Sequence, residues 1–118
     1  MGTALRRIGC ISAGLLIGVS IATVVRAAAT GDPTKGKDRY EQYCVVCHGP
    51  RGLGDGPMAK ATTPPATRLT APDVRNKTDQ DLLAIIADGK SASMPAWRGI
   101  LNDQELLDVM AYVRSLGG

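Results

Sequence analysis

Aromatic residues and histidine are scarce in this chain. Its 118 residues include no phenylalanine, one tryptophan, three tyrosines and a single histidine, His48. A small domain with so few large apolar side chains usually needs a further source of stability, such as a disulfide, a metal or another covalent group. The single histidine also excludes any site in which two histidines of one chain bind the same metal ion.

No excess of either charge remains once the first 29 residues are set aside. The full chain carries 14 Lys/Arg and 11 Asp/Glu, a net charge of +3, and Arg6, Arg7 and Arg26 account for all of that excess. Residues 30–118 are therefore balanced at 11 residues of each sign, with no basic cluster. This pattern is typical of a solvated surface and gives no indication of nucleic-acid binding.

A secretory signal peptide is predicted over residues 1–29. Arg6-Arg7 form a positively charged start, residues 8–25 are uncharged and largely apolar, and Ala27-Ala28-Ala29 is a small-residue cleavage site. Cleavage after this site would leave residues 30–118 as one exported, periplasmic domain. The apolar run of 18 residues is long for a signal peptide, so an uncleaved membrane anchor facing the periplasm is the alternative.

The most informative motif is Cys44-Val45-Val46-Cys47-His48, because C-x-x-C-H is the attachment signature of a c-type haem. Two thiols at this spacing can form thioether bonds to the two vinyl groups of one porphyrin. The histidine that follows them can then bind the iron. The motif predicts covalent attachment through Cys44 and Cys47 and axial ligation by His48. A covalent haem would also supply the apolar body that the aromatic-poor core lacks.

Three other interpretations of the motif account for less of the sequence. A thioredoxin-like redox pair would place the cysteines between a strand and a helix, but residues 33–43 are polar and predict no strand. A structural zinc site needs four ligands, and the chain has no second cluster of cysteine and histidine. A disulfide between Cys44 and Cys47 would close a very small loop and would leave His48 unexplained.

The remaining sequence predicts an all-α fold of three to four short helices. Asp32-Pro33 predicts a helix start, with aspartate as the cap and proline in the first position. Thr78 and Asn102 each have an acidic residue three positions later, which is typical of a capping box. Residues 49–76 are dense in glycine and proline and predict a loop that wraps the cofactor. The predicted helices span 33–45, 78–88 and 102–116.

The second axial ligand is expected to be a methionine sulfur, since no second histidine exists. Met58 lies ten residues after the ligand histidine in the same loop system, and we do not expect it to reach the opposite face of the haem. Met110 lies on the apolar face of the last helix, where a core methionine is the default. Met94 is the predicted ligand, because it lies in a loop between two helices and precedes Pro95, which restricts its backbone.

Four segments resemble those of the small single-haem cytochromes c of bacterial electron-transfer chains. They are Cys44–Gly49, Gly54–Pro57, Met94–Trp97 and Ala111–Leu116. The resemblance covers nearly all of residues 32–117. It implies a cytochrome c-like fold in which one covalent haem c, with its iron, lies between a few helices. His48 and Met94 would bind the iron from opposite faces.

The same resemblance implies finer contacts within the domain. A proline carbonyl, that of Pro64 or Pro65, would accept the Nδ1–H of the ligand histidine. Trp97 would lie near the haem edge and bond a propionate, with a plain core role as the alternative. The first and last helices would cross near Gly36, Tyr40, Val109 and Tyr112.

Two permanent axial ligands leave no open position for a substrate, so the resemblance implies a single-electron carrier and not an enzyme. The expected partners are a protein donor and a protein acceptor, and the expected state is a monomer. Membrane contact is expected only if the N-terminal segment is uncleaved. The alternative is a haem-bearing electron-transfer subunit of a larger periplasmic dehydrogenase or oxidase complex.

Overall fold

The computed structural model describes residues 30–117, and within this range the chain is helical. The predicted signal peptide and Gly118 lie outside the described residues, so the boundary at residues 29 and 30 stays a prediction. The described residues form no β-strand and only two isolated β-bridges, which confirms the all-α prediction. In chain order the α-helices are α1 Pro33–Tyr43, α2 Val45–His48, α3 Pro72–Arg75, α4 Asp79–Asp88 and α5 Asp103–Ser115.

The helix starts follow the capping residues that the sequence predicts. The Asp32 side chain accepts the backbone N–H groups of Thr34 and Lys35 at the start of α1. Complete capping boxes begin α4, at Thr78, and α5, at Asn102. Each box satisfies N–H groups that the first turn of a helix leaves without an intrahelical partner.

The first helix ends two residues earlier than predicted. Helix α1 stops at Tyr43, and the separate single turn α2 carries the second cysteine and the histidine. Both the Cys47 and the His48 N–H groups bond the Cys44 carbonyl, at 3.2 and 2.9 Å, so the chain starts a new turn at Cys44. Cys44, between the two helices, has a φ of −108°, well away from the helical value.

Helices α1 and α5 cross where the sequence resemblance places their crossing. A Cβ atom on Gly36 would overlap the backbone carbonyl oxygen of Asp108, so the two backbones meet at a position that only glycine fits. Beside it, Tyr40 and Val109 are fully buried. The rings of Tyr40 and Tyr112 lie edge to face with their centroids 5.0 Å apart.

The segment predicted as a wrapping loop is irregular, with two short helical turns. These are a 3-10 turn at Ala59–Ala61 and helix α3. Glycines at 49, 52 and 54 have positive φ angles, a conformation that other residues rarely adopt. None of the helices within residues 30–117 is long and apolar enough to cross a membrane.

Candidate haem site

A single deep cleft brings the sequence-predicted site residues together. Cys44, Cys47, His48 and Met94 all line it. Its apolar lining includes Tyr40, Tyr43, Leu69, Val74, Leu82, Ile85, Ile86, Trp97, Val109 and Val113.

A backbone carbonyl sets the protonation of the His48 ring. The Nδ1 atom lies 2.9 Å from the carbonyl oxygen of Thr67, and because a carbonyl can only accept, Nδ1 carries the proton and donates it. The lone pair is then on Nε2, the nitrogen that remains for a metal. Burial lowers the pKa of His48, and the bond to Thr67 acts in the opposite direction.

The expected proline contact is wrong. The carbonyl that bonds the His48 ring belongs to Thr67, whereas Pro64 and Pro65 line the cleft only as side walls. A main-chain acceptor carries no side-chain signature, and the glycine- and proline-rich loop has no periodicity that would fix its register. The sequence therefore indicates the loop that supplies the acceptor but not the residue.

The two thiols are free and lie partly buried in the cleft. Burial, and secondarily the charge of Cys47, raise the pKa of Cys44 to about 12. Thiol oxidoreductases depend on the opposite shift, since their reactive group is a thiolate. Among residues 30–117 no three His, Cys, Asp or Glu side chains are grouped to hold a metal ion. The raised pKa of Cys44 therefore does not favour the redox-pair interpretation.

Hydrogen bonds fix the C-x-x-C-H turn against the first helix and the following loop. The Tyr40 hydroxyl, whose pKa burial raises, donates to the Gly49 carbonyl at 2.6 Å. The His48 carbonyl accepts the Gly54 N–H at 2.9 Å, and the Cys47 carbonyl accepts the Gly56 N–H at 3.1 Å. A Cβ on Gly56 would lie 2.6 Å from the Val45 carbonyl oxygen, so the loop passes too close for a larger residue.

The Met94 loop is a compact turn closed on itself. The Met94 N–H donates to the Ser91 carbonyl at 3.0 Å and approaches the Ser91 hydroxyl at 3.2 Å. Its carbonyl accepts the Lys90 N–H at 2.9 Å. Gly89 ends α4 with a φ of 76°, and a Cβ there would lie 2.7 Å from the Met94 carbonyl oxygen. The turn thus holds the backbone of Met94 in place beside the cleft.

The three candidate methionines have different surroundings. Met94 is half-buried and lines the cleft. Met58 is 49% exposed, and Met110 is buried in the core among the α5 residues. Neither of these two lines the cleft. This distribution agrees with the core role predicted for Met110.

Trp97 lies between the core and the cleft, and its bond to a propionate stays a prediction. It packs against the core and lines the cleft. Its ring lies 5.2 Å from that of Tyr43, centroid to centroid. The sequence analysis missed two residues that line the cleft, Tyr43 and Lys77. Tyr43 could have been found, because it lies three residues after Tyr40 and so on the same face of the helix, whereas no motif marks Lys77.

The donor set fits a c-type haem. Two thiols, one imidazole with a free Nε2 and one thioether line the same apolar cleft. These are the groups that attach such a haem and bind its iron. The cleft also opens onto core side chains of α4 and α5, so an apolar porphyrin would complete the core there.

Comparison with known proteins identifies the family. The profile described as "Cytochrome C oxidase, cbb3-type, subunit III" matches residues 31–113. The chain is 32% identical over 114 residues to the cbb3-type cytochrome c oxidase subunit FixP of Bradyrhizobium diazoefficiens, covering 89% of this chain and 38% of that protein. It is 30% identical over 84 residues to the subunit CcoP of Azospirillum brasilense, covering 71% and 28%. The chain therefore spans less than two fifths of the length of either relative.

Solved structures agree with the fold. A chain of the reducing HAO-like protein complex of Kuenenia stuttgartiensis superposes with a TM-score of 0.62 at 29% identity, covering 72% of this chain and 42% of that one. Cytochrome cL of Methylophaga aminisulfidivorans superposes with a TM-score of 0.54 at 28% identity, covering 70% and 51%. Since the family profile covers most of the described residues, the chain belongs to the cytochrome c family of cbb3-type oxidase subunit III, and its cofactor is a c-type haem.

Proposed function

We propose that this domain is a one-electron carrier that holds its haem through Cys44 and Cys47, with His48 and Met94 as the axial ligands of the iron. The observation that carries the proposal is the shared cleft, which all four side chains line. Of the methionines in the described part of the chain, Met94 is the one that lines it. When bound, the haem supplies the one-electron couple between Fe(II) and Fe(III).

The chain's own residues prepare and preserve this ligation. The Thr67 carbonyl keeps the proton on Nδ1 of His48 and so directs Nε2 to the metal. Burial favours the neutral imidazole, which is the form that binds iron. The Ser91 turn holds the Met94 backbone, so only the side-chain torsions of Met94 need to be ordered when the sulfur binds. A thioether ligand within apolar walls favours Fe(II) and therefore a raised reduction potential.

An electron carrier without enzymatic activity follows from a permanently filled coordination sphere. With His48 and Met94 both in place, no position remains at which a substrate or dioxygen could bind the metal. The domain would exchange electrons with protein partners only.

The second candidate function is that of an electron-transfer subunit held to a larger oxidase or dehydrogenase. Its support is that the relatives named above are subunits of a cbb3-type oxidase. An exposed apolar pair adjoins the cysteine motif: Val46 is 42% exposed, Met58 is 49% exposed, and the Met58 N–H bonds the Val46 carbonyl at 2.9 Å. Apolar surface beside a haem attachment site suits contact with a protein partner. Both functions use the same site and differ only in the permanence of the partner.

An exported protein, with the domain in the periplasm, fits this function. Residues 1–29 would be removed as a signal peptide, or would remain as an anchor that keeps the domain at the membrane. Either form exposes the same haem domain to periplasmic redox proteins.

Mass spectrometry of the denatured protein, purified from cells with working haem-attachment machinery, tests attachment and processing together. We expect the mass of residues 30–118 plus one haem. The double variant Cys44→Ser with Cys47→Ser should lose the haem on denaturation, because no thioether can form. An unmodified wild-type mass would refute the proposal. A haem adduct that retains residues 1–29 would instead select the anchored form.

A further inference from the structure

The charged side chains that line the haem cleft are all positive. Lys77 and Lys90 are the lining residues that carry a charge, and the lining contains no aspartate or glutamate. Acidic and basic residues are equally numerous over residues 30–118, so the overall composition does not explain this bias. A cleft of one sign attracts a ligand of the opposite sign.

Lys77 is the more informative of the two lysines. It is half-buried, whereas Lys90 is exposed at the rim. Among the described residues, no carboxylate oxygen lies within salt-bridge distance of the Lys77 ammonium. An anion in the cleft would give this ammonium the counter-charge that the described residues do not supply.

The backbone at Lys77 is held firmly. Its N–H donates to the Val74 carbonyl at 3.1 Å, and its own carbonyl accepts from the Arg114 guanidinium. Arg114 also bonds Asp79 at 2.8 Å. The neighbouring acid is thus engaged by an arginine of α5 and does not pair with Lys77. The alternative is a packing role, because the aliphatic stem of a lysine can cover apolar surface without its charge being used. Substitution by glutamine, which is neutral and similar in length, distinguishes the two roles.

We propose that Lys77 is the counter-charge for a propionate of the bound haem, with Lys90 as a weaker, outer contributor. The inference rests on the proposed function, since it requires a haem held by Cys44 and Cys47. In the porphyrin the two propionates stand on the edge opposite the two vinyl groups. With the vinyl edge held by the cysteines, the anionic edge would lie toward the rest of the cleft lining. A charge-assisted hydrogen bond from an ammonium to a carboxylate is stronger than a neutral one.

The counter-charge has a measurable consequence for the iron. A positive charge near the haem disfavours the additional charge of Fe(III), and it also cancels the propionate charge that would favour Fe(III). Removing the charge at position 77 should therefore lower the midpoint potential. An arginine there should preserve the potential, because it keeps the charge and the hydrogen-bond donors.

The experiment compares four purified, haem-loaded variants with the wild type by spectroelectrochemical titration at one pH and ionic strength. At a fixed applied potential, Lys77→Gln should raise the ratio of oxidised to reduced protein by about threefold to tenfold. A tenfold change corresponds to a fall of about 59 mV in the midpoint potential of a one-electron couple. Lys90→Gln should give a smaller shift in the same direction. Lys60→Gln removes an exposed charge outside the cleft lining and should change the ratio less than twofold. Lys77→Arg should match the wild type.

Redox-difference infrared spectroscopy provides a second measurement on the same samples. The propionate carboxylate stretch should shift in Lys77→Gln and stay in place in Lys60→Gln, since only the first replaces a charged donor in the cleft by a neutral amide. Equal potentials and equal carboxylate bands in these two variants would overturn the assignment. The mass of the wild-type protein distinguishes this result from a failure of the proposed function. If no haem adduct is found, haem attachment itself is refuted. If the adduct is present but Lys77→Gln changes neither the potential nor the carboxylate band, only the counter-charge is refuted.

Discussion

At the residue scale, the position of the sulfur relative to the cleft distinguishes the three methionines. All have the same chemistry, and each could bind iron if it reached the metal. Met94 lines the cleft, Met58 faces solvent and Met110 fills the core. Substituting them one at a time therefore tests ligation without changing the fold elsewhere.

We expect Met94→Ala to abolish the weak near-infrared absorption band that reports a sulfur–Fe(III) bond, because its thioether is removed. The midpoint potential should fall, since the ligand that favours Fe(II) is lost, and added cyanide should bind readily. The measurements are the visible and near-infrared spectrum of the oxidised protein, a redox titration and a cyanide titration.

Two matched variants control for the loss of a methionine as such. Met58→Ala should leave the band unchanged, because this side chain is largely exposed and outside the cleft lining. Met110→Leu should also retain it, with a change in the free energy of unfolding below about 1.5 kcal/mol for a volume-conserving core substitution. Persistence of the band in Met94→Ala, or its loss in folded Met110→Leu, would assign the ligand to another sulfur.

The residues of the site differ in how far the sequence reveals them. Cys44, Cys47 and His48 follow from a motif whose spacing the chemistry itself requires. Thr67 could not be predicted, because it acts through its backbone carbonyl, which every residue type possesses. Lys77 escapes detection for a related reason: one lysine among scattered charges gains meaning only when its neighbours in space are known.

At the element scale, hydrogen bonds between Ser93 and Thr63, here called the clasp, join two loops beside the cleft. The Ser93 hydroxyl accepts the Thr63 N–H at 3.2 Å and lies 3.4 Å from the Thr63 carbonyl, to which it can donate. Ser93 directly precedes Met94, and Thr63 belongs to the loop that runs to Thr67. The contact therefore links the segment that carries the sulfur to the segment that orients the histidine.

We expect Ser93→Ala to weaken this link and to make the Met94 ligand easier to displace. One hydrogen bond of about 0.5–1.5 kcal/mol corresponds to a twofold to tenfold effect. The rate of cyanide binding to the oxidised protein should rise by about that factor, while the resting spectrum and the potential stay close to the wild type. Stopped-flow mixing with cyanide measures the rate.

Two control variants either keep the hydroxyl at position 93 or remove a hydroxyl elsewhere in the domain. Ser93→Thr retains the donor and acceptor and should restore the wild-type rate. Ser115→Ala removes a hydroxyl that bonds the Tyr112 carbonyl within α5 and should have no effect. An unchanged rate in Ser93→Ala would mean that the clasp does not restrain the Met94 loop.

Element boundaries were predictable where side chains cap a helix and not where backbone geometry ends one. The cap residues Thr78 and Asn102 predict the starts of α4 and α5, because each satisfies N–H groups that a helix start exposes. The break at Cys44 carries no such signal, and a continuous helix to Val45 was the wrong expectation. The role of Gly36 was predicted only through the family resemblance, since an isolated glycine in a helix does not indicate which other helix packs against it.

At the scale of the whole molecule, the scarcity of aromatic residues and the shape of the cleft have one explanation. The cleft reaches side chains that also form the core, among them Tyr40, Leu82, Val109 and Val113. Without the porphyrin, these core side chains would also form the wall of an open cleft. Burial of apolar surface is the main favourable term in folding, so the haem would supply a share that the chain does not.

We therefore expect the same sequence, produced without haem-attachment machinery, to lose cooperative folding. Its far-UV circular dichroism should fall well below that of the haem-loaded protein, and its urea transition should be broad, because a large part of the apolar core is missing. Covalent attachment also ties the chain together through Cys44 and Cys47, which restricts the unfolded state of the loaded form alone. The haem-loaded wild type, measured under the same conditions, is the reference. If the haem-free chain unfolded in one sharp transition near the reference midpoint, the helices would be stable without the cofactor, and the aromatic-poor core would need a different explanation.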